Sequence, residues 1–295
     1  MYGVRRLVYN VHASVYTVYS AYAVREDREA EVAKKDDEAA KQPKQPKQPK
    51  EPKGVKEADE VSLWERLDRP AGAPRASLNP QRIAAVAVEL ADREGFAAVT
   101  MRRIATELGV APMAAYRHVS GKEDLWALMV DQVSAELDGP GELAGWRETL
   151  RAHAERTRAM MMRHPWLAQM PAPLFALTPN RMAGAERQLA SLEGLGMDVD
   201  TMMAVFRTVS AYVHGATQSE TALRQYMAEH GWQSGDDTRR GLAPQMQYLM
   251  STGRYPTYRA YTQAAARKDD AAWLFETGLE CVLDGVAGLV ERGRA

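Results

Sequence analysis

The chain has 295 residues, of which 45% are hydrophobic, and its 38 Lys and Arg nearly balance its 39 Asp and Glu. That length suits one or two domains with a sizeable core, and the lone cysteine, Cys281, excludes an internal disulfide and a cysteine-built zinc site. No apolar run approaches the ~18 residues of a membrane-spanning helix, and the near-zero charge lacks the excess base by which many nucleic-acid proteins declare themselves.

Residues 1–24 alternate Val with Tyr, Ser and Thr behind Arg5 and Arg6. The segment loosely imitates a secretory leader, but Asn10, His12, Ser14 and Thr17 interrupt its apolar stretch. Val24 and Val55 are candidate alternative starts, and the repeated Val-Tyr pairs can be encoded by the self-complementary GTATAC, as expected of translated inverted-repeat DNA ahead of a later start. Residues 25–60 alternate charges and then repeat Lys-Gln-Pro from Lys41 to Pro49. Proline at every third position forbids a helix interior and favours solvated polyproline II. The expectation for 1–60 is a disordered or mis-started extension, followed by an arm over 61–77.

From Asn79 the pattern turns helical, and no sustained period-2 run appears. Asn79-Pro80 opens a helix whose Ile83, Val86, Ala87, Leu90 and Ala91 share a face, and Gly95 stops it. Thr100 caps a second helix, Met101 to Leu108. Gly109-Val110-Ala111 forms the turn, and Pro112 opens a third helix through His118. Ser120-Gly121-Lys122-Glu123 reads as a capping box before a fourth helix over 122–137. Long amphipathic helices are then expected over 142–163, 179–193, 199–229, 237–251 and 270–291. Asp198 caps the longest, and Asp236-Asp237 reads as a helix cap. The fold class is all-α, with a three-helix unit over 78–125 and a larger helical body over 126–295.

Two short helices around a glycine turn have the arithmetic of a helix-turn-helix. Ile104 and Ala105 face the core, while Arg102 and Arg103 can face a phosphate backbone, and the exposed residues of the third helix suit a major groove. The blander alternative is a helical hairpin within a bundle.

The blocks Gly95-Phe96, Thr100-Met101-Arg102-Arg103-Ile104-Ala105, Leu108-Gly109-Val110, Tyr116-Arg117-His118-Val119 and Lys122-Glu123-Asp124-Leu125 stand in an order and spacing that resembles the tetracycline-repressor family. The resemblance covers about 60 residues. The segments Phe275 to Leu279 and Leu283 to Val286 resemble the end of that family's ligand domain. The resemblance implies that Thr100, Tyr116 and Lys122 contact phosphates, which suits hydroxyls and a cation at helix starts. Base reading then falls to Ala111, Pro112, Met113 and Arg117, with His118 supporting Tyr116 as a buried or capping residue and Arg75 as a flanking arm. Three positions depart from the family pattern. Ala111 stands where a capping hydroxyl is usual, Ala115 where Leu is usual and Val119 where Phe is usual; Phe96 and Trp126 are available to refill that core.

In the body, Met160, His164, Trp166, Met170, Phe175, Met202, Phe206 and His214 make a candidate pocket for an apolar or aromatic effector, against the plainer reading of core packing. Cys281 is expected in the core of the last helix. No ligand set at metal spacing, nucleophile triad or phosphate-cradling loop stands out, so no metal, cofactor or catalytic residue is expected. The resemblance implies a cytoplasmic, homodimeric, effector-responsive regulator of transcription on a double-stranded, pseudo-palindromic operator, most simply a repressor. It also implies an intersubunit bundle of the 199–229 and 270–291 helices, with Val205, Val209 and Val213 facing Leu279, Val282, Val286, Leu289 and Val290. The alternative is a helical scaffold or a helical enzyme. Residues 78–137 carry six basic and eight acidic side chains, a charge of −2, so DNA affinity must come from the placement of a few cations.

Overall fold

The computed structural model describes residues 62–68, 78–139, 145–170 and 177–294. The extension expected over 1–60, together with Arg75 and Phe175, lies outside them. Among the described residues all regular structure is helical. Leu63–Asp68 (α1) is a short helix with no counterpart in the sequence reading. Pro80–Glu94 (α2) begins as its cap dictates: Asn79 Oδ1 accepts from Arg82 N at 2.7 Å, and Pro80 supplies a φ already suited to the first turn. Met101–Glu107 (α3), Pro112–Tyr116 (α4) and Lys122–Ser134 (α5) follow, with a 3-10 turn at Ala135–Leu137.

The body comprises Trp146–Arg163 (α6), Pro179–Ala190 (α7), Val199–Glu229 (α8), Gly235–Ser251 (α9), Pro256–Ala264 (α10) and Ala271–Arg294 (α11). The cap of α8 is as read: Asp198 Oδ1 accepts from Thr201 N at 2.7 Å. Helix α9 starts two residues earlier than expected because Ser234, not an aspartate, is its cap. Ser234 Oγ accepts from Asp237 N at 3.2 Å while Asp237 Oδ2 accepts from Ser234 N at 3.0 Å, a reciprocal box. Ser234 Oγ, which donates to Asp237 Oδ2 at 2.8 Å, then Gln233 N at 3.0 Å and Arg240 hold the Asp237 carboxyl down at about 2. Helix α10 was not anticipated: its Tyr258 and Tyr261 are exposed, so it carries no buried apolar seam for periodicity to reveal.

Two cores hold these helices. The first packs Ile83 and Leu90 of α2, Ile104 of α3, Leu125 and Met129 of α5, Leu137, and Met160 and Trp166 from the end of α6 and the turn after it. Each such side chain contributes about 1.5–3 kcal/mol by leaving water. Phe96 and Trp126, their ring centroids 5.6 Å apart, pack against this core beside the small Ala115 and Val119. The second core joins Leu150 and Ala154 of α6 to Val205, Val209 and Val213 of α8 and to Phe275, Leu279, Leu283, Val286 and Val290 of α11.

That second core corrects two expectations. Val205, Val209, Val213, Leu279, Val286 and Val290 are buried within one chain, so they are not the apolar stripes of an intersubunit bundle. The steric cause is visible at Gly278, where an added Cβ would collide with Tyr212, whose Oη donates to Phe275 O at 2.6 Å; only glycine lets α8 and α11 of the same chain come this close. Cys281, expected in the core, is exposed, because the buried seam runs through Leu279 and Leu283 and passes it by.

His153 on α6 is held largely neutral. Burial, then the positive charges of Arg181, Arg187 and Arg156 and of His214, pull its pKa down to about 4 from 6.5. The unfolded chain therefore takes up this proton before the folded one does, and stability present above pH 6.5 is lost as pH falls towards 4. Thermal unfolding across that window should show a steeper decline for the parent than for His153→Gln. Parallel curves would remove His153 as the cause.

Candidate nucleic-acid interface

The unit from α3 to α5 is held by its inner face. Thr100 Oγ1 accepts from Arg103 N at 3.2 Å and starts α3, while Ile104 and Ala105 are buried. Leu108 closes the helix, and Gly109, with φ of 66°, makes the left-handed step that lets Val110 N donate to Ala105 O at 2.9 Å. Pro112 opens α4 behind Ala111, whose side chain makes no capping bond. The helix ends at Tyr116, two residues before the expected His118. Ala115 and Val119 are fully buried and pin this short helix against the core.

Everything on the opposite side faces solvent. Met113 is 69% and Tyr116 48% exposed, large values for such side chains. Thr100, Arg102, Arg103, Ala111, Pro112, Arg117, His118 and Lys122 are exposed as well. His118 is thus neither buried nor a core support. The structure gathers this predicted set onto the outer side of α3, α4 and the start of α5.

The charges on that surface are not equivalent. Arg103 Nη2 reaches Glu94 Oε1 at 2.9 Å and Glu107 Oε1 at 3.5 Å, and Arg93 binds the same two carboxylates at 2.9 and 3.1 Å. Arg103 is therefore committed to a surface network. Arg102, Arg117 and Lys122 form no ion pair with another described residue. At the start of α5 the expected capping box is replaced. Gly121 is the cap, Ser120 precedes it, and Asp124 Oδ2 accepts from Ser120 N at 3.2 Å. Asp124 is also paired with Arg66 of α1 at 2.5 Å.

Behind this surface lies a contact that sequence reasoning missed. His164, after α6, is buried with Nδ1 at 2.8 Å from Asp92 of α2 and Nε2 at 3.0 Å from Glu136 at the end of α5. Trp166 Nε1 donates to the same Asp92 at 2.8 Å. The residues expected to line an effector pocket are accordingly divided. Met160, His164, Trp166 and Met170 are buried with or beside the first core, under the helix-turn-helix, whereas Met202 packs against the second and Phe206 and His214 are half-buried along α8.

Residues 83–129 match the model for bacterial regulatory proteins of the tetR family, and residues 140–290 match the tetracyclin repressor-like C-terminal domain. The chain belongs to the tetracycline-repressor family. Among its relatives, the HTH-type transcriptional repressor DrrR1 of Streptomyces coeruleorubidus is 34% identical over 235 residues, 79% of this chain and 86% of that protein. An HTH-type transcriptional regulator of Saccharopolyspora erythraea is 30% identical over 185 residues, covering 60% of this chain and 78% of its own. Among solved structures, apo ActR from Streptomyces coelicolor superposes with a TM-score of 0.60 at 25% identity, covering 74% of this chain and 99% of that one. ActR has also been solved in complex with actinorhodin, with a TM-score of 0.59 and 27% identity over 72% of this chain and 97% of that one.

In this family member α2 to α5 form the helix-turn-helix head, and α5 runs from Lys122 at the head surface to the turn that carries Glu136. His164 and Trp166 thereby tie the first and last helices of the head to the body. Truncating His164 removes the ring shared by two carboxylates, leaving Asp92 with Trp166 and Glu136 with Arg163. We expect His164→Ala to cost about 1–3 kcal/mol in urea unfolding, and an unchanged midpoint would show that the contact does not hold the head to the body.

Proposed function

We propose that the protein is an effector-responsive repressor that binds a pseudo-palindromic DNA operator as a homodimer in the cytoplasm. The observation that carries this is the exposed face of α4: Met113, Tyr116 and Arg117 project from a helix whose buried side is only Ala115, with Lys122 and Thr100 flanking it. A helix so short has little purpose in packing and suits insertion into a major groove. The naming of DrrR1 as a transcriptional repressor and the actinorhodin complex of ActR favour repression and effector release.

On this reading Thr100, Arg102, Tyr116 and Lys122 hold phosphates, and Arg117 reads guanine while Met113 rests on a thymine methyl, with Ala111 and Pro112 setting the approach. Arg103 joins the phosphate contacts only on leaving Glu94 and Glu107. Two heads must meet half-sites about one helical turn apart, which requires a dimer. Exposed Leu223 and Tyr226 of α8, Leu242 and Tyr248 of α9 and Leu274 of α11 are the apolar surface available for it, in place of the stripes used in the chain's own core. An effector acts by preferring a form whose heads are wrongly spaced. Shifting occupancy from 99:1 to 1:99 takes about 5.5 kcal/mol of preference, and operator and effector then oppose each other reciprocally. The chain is read as a regulator without catalysis.

Lys122→Ala should weaken binding to all DNA sequences and reduce the slope of log affinity against log salt by about two, one for each subunit of the dimer. An unchanged slope in fluorescence anisotropy would take Lys122 off the phosphate backbone. Arg117→Ala should instead lose about 1–3 kcal/mol of discrimination at one base pair per half-site, read by selection of bound DNA from a random pool. Uniform weakening would place Arg117 among the phosphate contacts.

A further inference from the structure

Helix α1, Leu63–Asp68, lies ahead of residues 83–129, the stretch that matches the helix-turn-helix family model. Its six residues are too few to stand as a helix in water, so packing must hold it. Leu63, Trp64 and Leu67 are half-buried against the first core, while Glu65, Arg66 and Asp68 face outward. Ser62 Oγ accepts from Glu65 N at 3.2 Å and starts the helix. Trp64 Nε1 donates to Leu177 O at 3.1 Å, two residues ahead of α7, so α1 is tied to the body as well as to the head.

What α1 presents to the head is Arg66. Its Nη2 lies 2.5 Å from Asp124 Oδ2, and that same oxygen accepts from Ser120 N at 3.2 Å. The three groups form a chain from α1 to the turn Ser120-Gly121-Lys122, which leads into α5. Gly121, the cap of α5, has no side chain with which to close the helix start, and Asp124 supplies the side-chain bond to the turn instead. The path of the backbone into Lys122 therefore follows the position of one carboxylate, and Arg66 sets that position.

The pair matters little for stability. Its side chains are 41% and 21% exposed, and exposed ion pairs contribute little to folding. Its weight lies in orientation and charge. Asp124 stands two residues from Lys122 in a head that is net acidic. Without Arg66, that carboxylate would repel the phosphate that Lys122 is placed to meet. We propose that Arg66 is a positioning residue for operator binding: acting through Asp124, it holds the turn that presents Lys122 and masks the carboxylate beside it, without touching DNA. The proposal rests on the reading of Lys122 as a phosphate contact, and it extends the DNA-binding head to a helix ahead of α2. The competing role, a direct contact of Arg66 with phosphate, separates from this one in a double-mutant cycle.

The test uses the full-length protein, a duplex that the parent selects from a random pool, and fluorescence anisotropy over a range of salt. Arg66→Met should weaken binding about three- to tenfold while the melting temperature stays within about 2 °C of the parent. Arg66→Lys can still reach the single oxygen and should bind within about twofold of the parent. Asp124→Asn keeps an acceptor for Ser120 N and loses the repelling charge, so it should bind at least as tightly as the parent. In the Asp124→Asn background, Arg66→Met should cost less than about twofold and leave the salt slope unchanged. An undiminished loss in that background, or a slope lowered by about two, makes Arg66 a phosphate contact itself and overturns the proposal. Unchanged binding in Arg66→Met, a loss that tracks a fall in melting temperature, or a loss as large in Arg66→Lys overturns it as well. Lys122→Ala in the same assay keeps the two readings apart. If its salt slope is that of the parent while the cycle runs as expected, the phosphate role of Lys122 fails and Arg66 still positions the turn. If Lys122→Ala lowers the slope and Arg66→Met binds like the parent, the phosphate contact stands and the role of Arg66 falls.

Discussion

His164, buried between Asp92 and Glu136, is the contact on which the working of this molecule turns. A single ring ties α2, the end of α5 and the body, and Trp166 adds a second donor to the same Asp92. Below it the first core runs without a break from Ile83 and Leu90 of the head to Met160 and Trp166 of the body. A packed, hydrogen-bonded joint of this kind resists continuous bending and favours discrete arrangements. Motion of α6 in the body therefore reaches α2 and α5 together, which is what a change in head spacing requires.

The reading surface depends on that joint and on very little else. Helix α4 spans only five residues and is anchored by Ala115 and Val119, so its orientation is set by the framework of α2, α3 and α5. Electrostatics follow the same economy. The head region is net acidic, and one of its arginines, Arg103, is held by Glu94 and Glu107. What remains for DNA is a small group of exposed cations and hydroxyls around α4. Such a surface favours contacts at defined phosphates over a broad basic field, and it makes binding depend on two heads acting together.

Much of the fold was legible from local rules. Asn79, Thr100 and Asp198 announce helix starts because their side chains satisfy orphan backbone donors, and each does so here. Gly109 announces the turn by its left-handed backbone. The outward set of Met113, Tyr116, Arg117 and Lys122 followed from the pattern that the chain shares with the tetracycline-repressor family. What escaped was of two kinds, caps misplaced by a residue or two and contacts between residues distant in sequence. Ser120 looked like a cap but stands one residue too early, and Ser234 was overlooked beside two aspartates. The valines of α8 and the apolar face of α11 read as a surface for a second chain. Nothing local reveals that Gly278 allows them to close on each other.

The same limit applies to the residues expected to line an effector pocket. Methionine and aromatic side chains stand out in a sequence, and Met160, Trp166 and Met170 turned out to be buried with the first core. Nothing local in the sequence shows that His164 and Trp166, past the end of α6, meet Asp92 of α2. Helix α6 carries Met160 into the first core and has His164 just past its end. Any shift of α6 therefore bears directly on the ring that holds Asp92 of α2 and Glu136 after α5.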